Sequence, residues 1–300
     1  MKLPMLAALL VLFQPALAAP AAAAPAQDAR LQEIERRSGG RLGVALLDST
    51  GATLLGHRAD EPFAMCSTFK TLLAAMVLDG AAKRRWSLGN PLPLTRADLV
   101  THSPITEALV RNGRVDMRTA AAAIVTHSDN TAANLLLSAS GGPAGLTEWL
   151  RRNGDRTTRL DRTEPTLNQN RPGDPRDTTT PSAMAASTHR VTVGNALRAP
   201  ERRQLRGWMT ASHTGLQRIR AGLPTGWEAG DKTGSCGTAY NDVAWFRAPD
   251  GREYVLAVYL DRPAITGDQA NAAIADVARI AVQALPPGRA HFAPQASPVH

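Results

Sequence analysis

Four short segments carry side chains whose types and spacing could perform nucleophilic chemistry. Ser67-Thr68-Phe69-Lys70 places a hydroxyl and an amine at i and i+3, and on a helix two such side chains share one face within reach of each other. Ser67 also stands where that helix is expected to begin, so unpaired backbone N–H groups and the positive dipole end favour nearby negative charge. A buried lysine there could give up its proton and act as a base toward the serine. Alone the pattern is weak, because S-x-x-K arises by chance about once per chain of this length at average composition. Lysine occurs only at Lys2, Lys70, Lys83 and Lys232, however, which raises its weight.

The other three segments are equally ambiguous one by one. Ser128-Asp129-Asn130 lies at a helix boundary after the apolar run 120–125 and would serve as an ordinary N-cap. Lys232-Thr233-Gly234-Ser235-Cys236-Gly237 ends a strand-like run, where Gly234 would let a ligand approach the strand edge, or would simply make a turn. Glu164 and Asn168 stand four residues apart in an aperiodic stretch; they could hold one water between them or be solvated loop residues. Other chemistries lack their signatures: there is no G-x-S-x-G, H-E-x-x-H, C-x-x-C or Gly-rich phosphate loop, and the histidines lack metal-ligand spacing. His127-Ser128-Asp129 holds the residue types of a triad, but consecutive side chains diverge on a helix or strand, so that reading is discarded.

The elements that must position these segments follow from apolar spacing and turn residues. A helix is expected over 29–37, with Leu31 and Ile34 on one face, and strands over 41–48 and 52–57 joined at Ser49-Thr50-Gly51. A helical block then runs from Ser67 to about Asn195. Phe69, Leu72, Leu73 and Met76 form the apolar face of its first helix, and Gly80 is expected to end it. Asp116 should cap a helix over 117–126, another should span 131–139, and Pro143 and Thr180-Pro181 should open two more. Residues 159–179 show no periodicity, and a loop of that length in a compact domain is usually functional or disordered. Strand signals return over 227–235, 238–247 and 252–260, before a terminal helix over 269–285. Strands at both ends around a helical insert predict an α+β fold: a five-stranded antiparallel sheet flanked by the terminal helices, with the site in the cleft between the parts.

Composition excludes several classes. With 43% apolar residues among 300, the chain can bury a sizeable core. The net charge of +8 comes mostly from arginines spread along the chain rather than gathered with aromatics into a stripe, so no nucleic-acid partner is expected. Residues 1–19 read as a signal peptide: Lys2, a short apolar run, and Ala16-Leu17-Ala18 before the cleavage point. The mature chain is thus expected to be exported to the periplasm, with no membrane association. Its two cysteines, Cys66 and Cys236, permit one bridge or two buried thiols in that oxidising setting.

Taken in this order, the four segments resemble the motifs of the class A serine β-lactamases, over about 29–285. Leu160-Asp161-Arg162-Thr163-Glu164-Pro165 and Arg176-Asp177-Thr178-Thr179 resemble the two ends of that family's omega loop. The resemblance implies a sheet domain from 27–63 and 211–286, a helical domain over 64–210 containing the omega loop 159–179, and a tail at 287–300. It implies that Ser67 forms an acyl-enzyme with a β-lactam, with Lys70, Ser128, Glu164 and Asn168 as its catalytic partners. Asn130, Lys232, Thr233, Gly234, Ser235, Arg218, Thr214 and His102 would bind substrate, while Arg162 and Asp177 would close the omega loop. Cys66 and Cys236 resemble the disulfide of the carbapenemase branch, and His102 replaces the aromatic residue more usual at the cleft rim. The expectation is therefore a β-lactamase that includes carbapenems among its substrates and acts as a monomer without cofactor or metal. Its alternatives are a broad-spectrum class A enzyme without carbapenem turnover, a penicillin-binding peptidase and a non-hydrolysing penicillin sensor. Glu164 and Asn168 favour hydrolysis over the last two.

Overall fold

The computed structural model describes residues 23–287; the expected signal peptide and nearly all of the tail lie outside them. In chain order the elements are α1 (Ala23–Ser38), β1 (Arg41–Leu47), β2 (Thr53–His57), β3 (Phe63–Ala64), a single 3₁₀ turn (Cys66–Thr68) and α2 (Phe69–Ala82). Then come β4 (Pro91–Pro93), α3 (Pro104–Leu109), β5 (Arg114–Asp116), α4 (Met117–Thr126), α5 (Asn130–Ala139), α6 (Gly142–Arg152), β6 (Thr178–Thr179), α7 (Pro181–Thr192) and α8 (Ala199–Thr210). The chain closes with α9 (Ile219–Gly222), β7 (Glu228–Ser235), β8 (Ala239–Arg247), β9 (Glu253–Asp261) and α10 (Gly267–Gln283).

The main sheet has the order β2-β1-β9-β8-β7 and is antiparallel throughout. Both of its faces are covered. Val255, Ala257 and Tyr259 pack against the helices of the central block, while Leu256, Val258 and Leu260 pack beneath α1 and α10. Side chains alternate across a strand, so a sheet buried on both sides needs apolar residues at nearly every position. That is why β9 reads as a continuous apolar run. The strand β7 lies at the edge, next to the 3₁₀ turn that carries Ser67.

Several helix ends differ from the sequence expectation, α1 beginning at Ala23 rather than 29 among them, and two of the differences have a local reason. The terminal helix begins at Gly267 rather than 269, because Thr266 and Gln269 form a capping box that makes Gln269 the third helical residue. Gly80 does not end α2, which continues to Ala82. The reversal occurs at Arg84, in a left-handed conformation with φ 59°, where the Arg84 and Arg85 N–H groups donate to the Ala81 and Gly80 carbonyls, the hydrogen bonding of a Schellman turn. Glycine is needed at 80 for space: a Cβ there would lie 2.1 Å from the Trp86 ring, whose Nε1 donates to the Val77 carbonyl at 2.8 Å.

Gly80→Ala should therefore lower stability, although alanine is the better helix former by about 1 kcal/mol. Overpacking costs typically about 1–3 kcal/mol, so a net fall in Tm of a few degrees is expected by scanning calorimetry; an unchanged or higher Tm would contradict the packing argument.

Candidate active site

Ser67 sits in the 3₁₀ turn, and three contacts pin that turn to the sheet. Asn241 Nδ2 donates to the Ala64 and Met65 carbonyls at 2.9 and 3.3 Å, and the Thr68 hydroxyl meets the Tyr259 hydroxyl at 3.0 Å. One turn on, Lys70 is fully buried. Its Nζ lies 3.0 Å from Ser67 Oγ, 2.8 Å from the Ser128 carbonyl, 3.4 Å from Ser128 Oγ and 3.0 Å from Glu164 Oε1, and it also donates to Asn130 Oδ1. Burial drives its pKa below the ordinary lysine value, and the Glu164 carboxylate pulls the other way.

Ser128 occupies the link between α4 and α5 in a left-handed conformation, φ 60°. Such a conformation in a non-glycine residue persists where surrounding contacts over-determine it. Here they come from the next residue. Asp129 is the N-cap of α5, accepting from Ala132 N at 2.8 Å, and it also accepts from Ile105 N, Thr106 N and Thr106 Oγ1. Asn130 is fixed by donation to the Thr101 carbonyl at 2.8 Å. The segment is thus both a helix cap and a carrier of site residues, a pair of readings the sequence presented as alternatives.

The edge strand β7 supplies the opposite wall. Lys232 Nζ donates to Ser128 Oγ at 3.1 Å, so that hydroxyl lies between two lysines. Burial, reinforced by the charge of Lys70, pulls the Lys232 pKa down to about 7. A Cβ on Gly234 would lie 2.6 Å from the Met65 carbonyl and 3.2 Å from Ser67 N, so glycine here lets the strand close against the turn that carries Ser67. Arg218 Nη2 donates to Ser235 Oγ at 2.7 Å, and Thr233 Oγ1 donates to Thr214 Oγ1 at 2.7 Å. Cys66 and Cys236 form a disulfide with Cα atoms 5.7 Å apart, joining the residue before Ser67 to the residue after Ser235. His102 adopts φ 63° and bonds through Nε2 to the His127 carbonyl at 3.0 Å.

Glu164 comes from the loop 159–179. Its side chain is buried, and its Oε2 accepts from Asn168 Nδ2 at 2.5 Å. Arg162 and Asp177 do form the expected ion pair, Nε to Oδ2 at 2.6 Å, and Asp177 Oδ1 also accepts from the Asp161 and Arg162 N–H groups. One anchor was missed in the sequence. Asn134 donates to the Glu164 carbonyl and accepts from the Glu164 N–H, both at 2.9 Å. It lies four residues after Asn130, on the same helix face, and that spacing was the only local signal for it.

A model of the β-lactamase enzyme family matches residues 26–285 of this chain. β-Lactamase L2 of Stenotrophomonas maltophilia is 45% identical over 252 residues, 83% of this chain and 82% of that protein. β-Lactamase OXY-2 of Klebsiella oxytoca is 43% identical over 289 residues, 95% and 98% of the two chains. An ancestral class A β-lactamase of Gram-negative bacteria superposes with a TM-score of 0.84 at 48% identity, covering 86% of this chain and 100% of that one. This chain is a class A β-lactamase. Its α+β fold is that of the solved enzymes, including one from Xanthomonas campestris pv. campestris at TM-score 0.83 and 43% identity, covering 86% and 97%. Among the described residues no helix is long and apolar enough to cross a membrane.

The position of Lys232 predicts a pH dependence for this β-lactamase. Below about pH 7 its ammonium is a cation beside Ser128 that would attract an anionic substrate, and as pH rises through about 7 that charge would be lost. Since kcat/KM reports the free enzyme, kcat/KM for a penicillin should fall along that limb. The methyl ester of the same penicillin, which has no carboxylate, should not show it. A limb shared by acid and ester would remove the contact of Lys232 with the substrate carboxylate as its cause.

Proposed function

We propose that this β-lactamase works through a Ser67 acyl-enzyme that is hydrolysed by a water held and deprotonated by Glu164 with Asn168. The observation that carries this reading is the buried Glu164 carboxylate, which reaches Lys70 at 3.0 Å and Asn168 at 2.5 Å while Lys70 reaches Ser67. Asn168 Oδ1 is buried with no donor among the described residues, and a buried acceptor of that kind ordinarily bonds water. Lys70 touches the Ser67 hydroxyl directly and, in the neutral form that burial favours, would be the nearer base for acylation. The N–H groups of Ser67 and Ser235 would receive the developing oxyanion, in keeping with the close approach of Gly234 to Ser67. Ser128, between Lys70 and Lys232, would pass a proton to the departing ring nitrogen. Asn130 would bind the acylamide group, and Lys232, Thr233, Ser235 and Arg218 the carboxylate, with Thr214 supporting Thr233 and His102 at the rim. Export through residues 1–19 belongs to the same reading.

Glu164→Gln should then acylate and stall. Removing a positioned general base costs about 10²–10⁴ in rate, so intact-mass spectrometry should find the protein carrying one whole β-lactam for minutes. Normal turnover by the folded variant would refute the role.

The substrate range is proposed to include carbapenems, which stall where the deacylation geometry is poor. Support comes from the Cys66–Cys236 bridge, which ties the nucleophile's turn to the end of β7, and from the Arg218–Ser235 and Thr214–Thr233 bonds on the same strand. In the chain-entropy model a bridge spanning 170 residues stabilises by about 5 kcal/mol. Its effect on turnover should be geometric, because a displacement of about 1 Å can cost 10²-fold. Imipenem absorbance should decay with the wild-type enzyme and far more slowly with Cys66→Ser. An absence of decay in the wild type would refute carbapenem turnover, and full decay in a folded Cys66→Ser would refute only the role of the bridge.

A further inference from the structure

The loop bearing Glu164 is anchored near Glu164 by Asn134 and at its closure by Asp177, but its tip is held by different contacts. Asn170 donates its N–H to the Asn168 carbonyl at 2.9 Å. Its side chain crosses to the end of β9, where Nδ2 donates to Asp261 Oδ1 at 2.8 Å and Oδ1 accepts from Arg262 Nη2 at 3.2 Å. Arg262 Nη1 donates to Asp261 Oδ2 at 2.7 Å, so amide, carboxylate and guanidinium close a ring in which every donor meets an acceptor. Asp261 is buried, and Arg41 Nη1 stands 3.6 Å from its Oδ2 as a second cation.

Arg262 holds a left-handed conformation, φ 49°. What holds it there is its N–H, which donates at 2.6 Å to the carbonyl of Thr238, two residues beyond Cys236 in the turn between β7 and β8. A continuous set of contacts therefore runs from that turn through Arg262, Asp261 and Asn170 to Asn168, whose Nδ2 donates to Glu164 Oε2 at 2.5 Å. The wall that carries Ser235 and the loop that carries Glu164 are thereby referred to one another across the site.

We infer that Arg262, Asp261 and Asn170 are positioning residues for deacylation, holding Asn168 and through it Glu164 in register with the β7 wall. None of the three contacts Ser67, Lys70 or Glu164, and the inference rests on the Glu164 reading above. In a two-step acyl-enzyme pathway, slowing only the second step lowers kcat and KM together and leaves kcat/KM nearly unchanged. A purely structural role would reduce the active fraction, lowering kcat and kcat/KM while KM stays constant.

The test is a steady-state comparison of Arg262→Ala and Asn170→Ala on a good penicillin, with folding checked by circular dichroism. Both variants should lose about 10- to 100-fold in kcat, as expected for small displacements of a reacting group, with KM falling in proportion and acyl-enzyme visible by mass spectrometry. Asn170→Asp, which sets two carboxylates face to face, should be at least as impaired. Adding Asp261→Asn to it exchanges donor and acceptor around the ring and should recover kcat. Unchanged kcat in folded variants, a fall in kcat at constant KM, or no recovery in the exchange variant would overturn the inference. The Glu164→Gln experiment separates the two claims. Normal turnover there removes the base itself, whereas a stalled Glu164→Gln beside wild-type-like Arg262→Ala and Asn170→Ala removes only the positioning network.

Discussion

The buried ammonium of Lys70 is the constraint around which this β-lactamase is assembled. A charge removed from water is tolerable only when it is paired and hydrogen-bonded. Lys70 finds its partners on four stretches of chain: Ser67 one turn back, Ser128 between α4 and α5, Asn130 at the start of α5, and Glu164 in the long loop. Each has to be brought within about 3 Å by an element that has its own reason to be there. Asp129 stabilises the reversal that presents the Ser128 carbonyl, and Asn134 holds the backbone of Glu164 from the same helix. The solvation of one lysine thus draws together Ser67, Ser128, Asn130 and Glu164.

The sheet provides the fixed reference for this arrangement. Because both of its faces are buried, β9 and β8 cannot shift without opening one core or the other. Tyr259 on β9 and Asn241 on β8 hold the turn that carries Ser67, and Gly234 on β7 closes against it. The disulfide joins the same two pieces covalently. The loop 159–179 enters the core only through Leu160 and Leu167 among its apolar residues and relies elsewhere on polar ties, among them the Asp177 carboxylate with three donors. The polar stretches between those anchors keep their shape only while every donor and acceptor is matched.

A second lysine shapes the electrostatics. Lys232 is as buried as Lys70 and reaches the same Ser128 hydroxyl, and its burial, reinforced by the nearby charge of Lys70, pulls its pKa down. This leaves Lys232 near its titration point at neutral pH, where an arriving anion would favour its charged form.

Much of this protein was legible in its sequence, and the legible part was local. Ser67 and Lys70 three residues apart, Asp116 and Asp129 as caps, Thr180-Pro181 at the head of α7 and the apolar runs of β8 and β9 are all stated over fewer than a dozen residues. There, helix and strand geometry alone determine which side chains meet. The order of the four segments was enough to show the resemblance to class A β-lactamases, and with it the fold. What only the tertiary structure decided lies between segments far apart in the chain. The grip of Asn134 on Glu164, the contacts of Arg262 with Asn170 and Thr238, and the Trp86 ring that demands glycine at 80 are set by how packed elements approach. So is the charge state of the lysines, because desolvation is a property of everything around a group. Spacing along a chain specifies reach within an element, whereas burial and cross-chain partners exist only once the cores have closed.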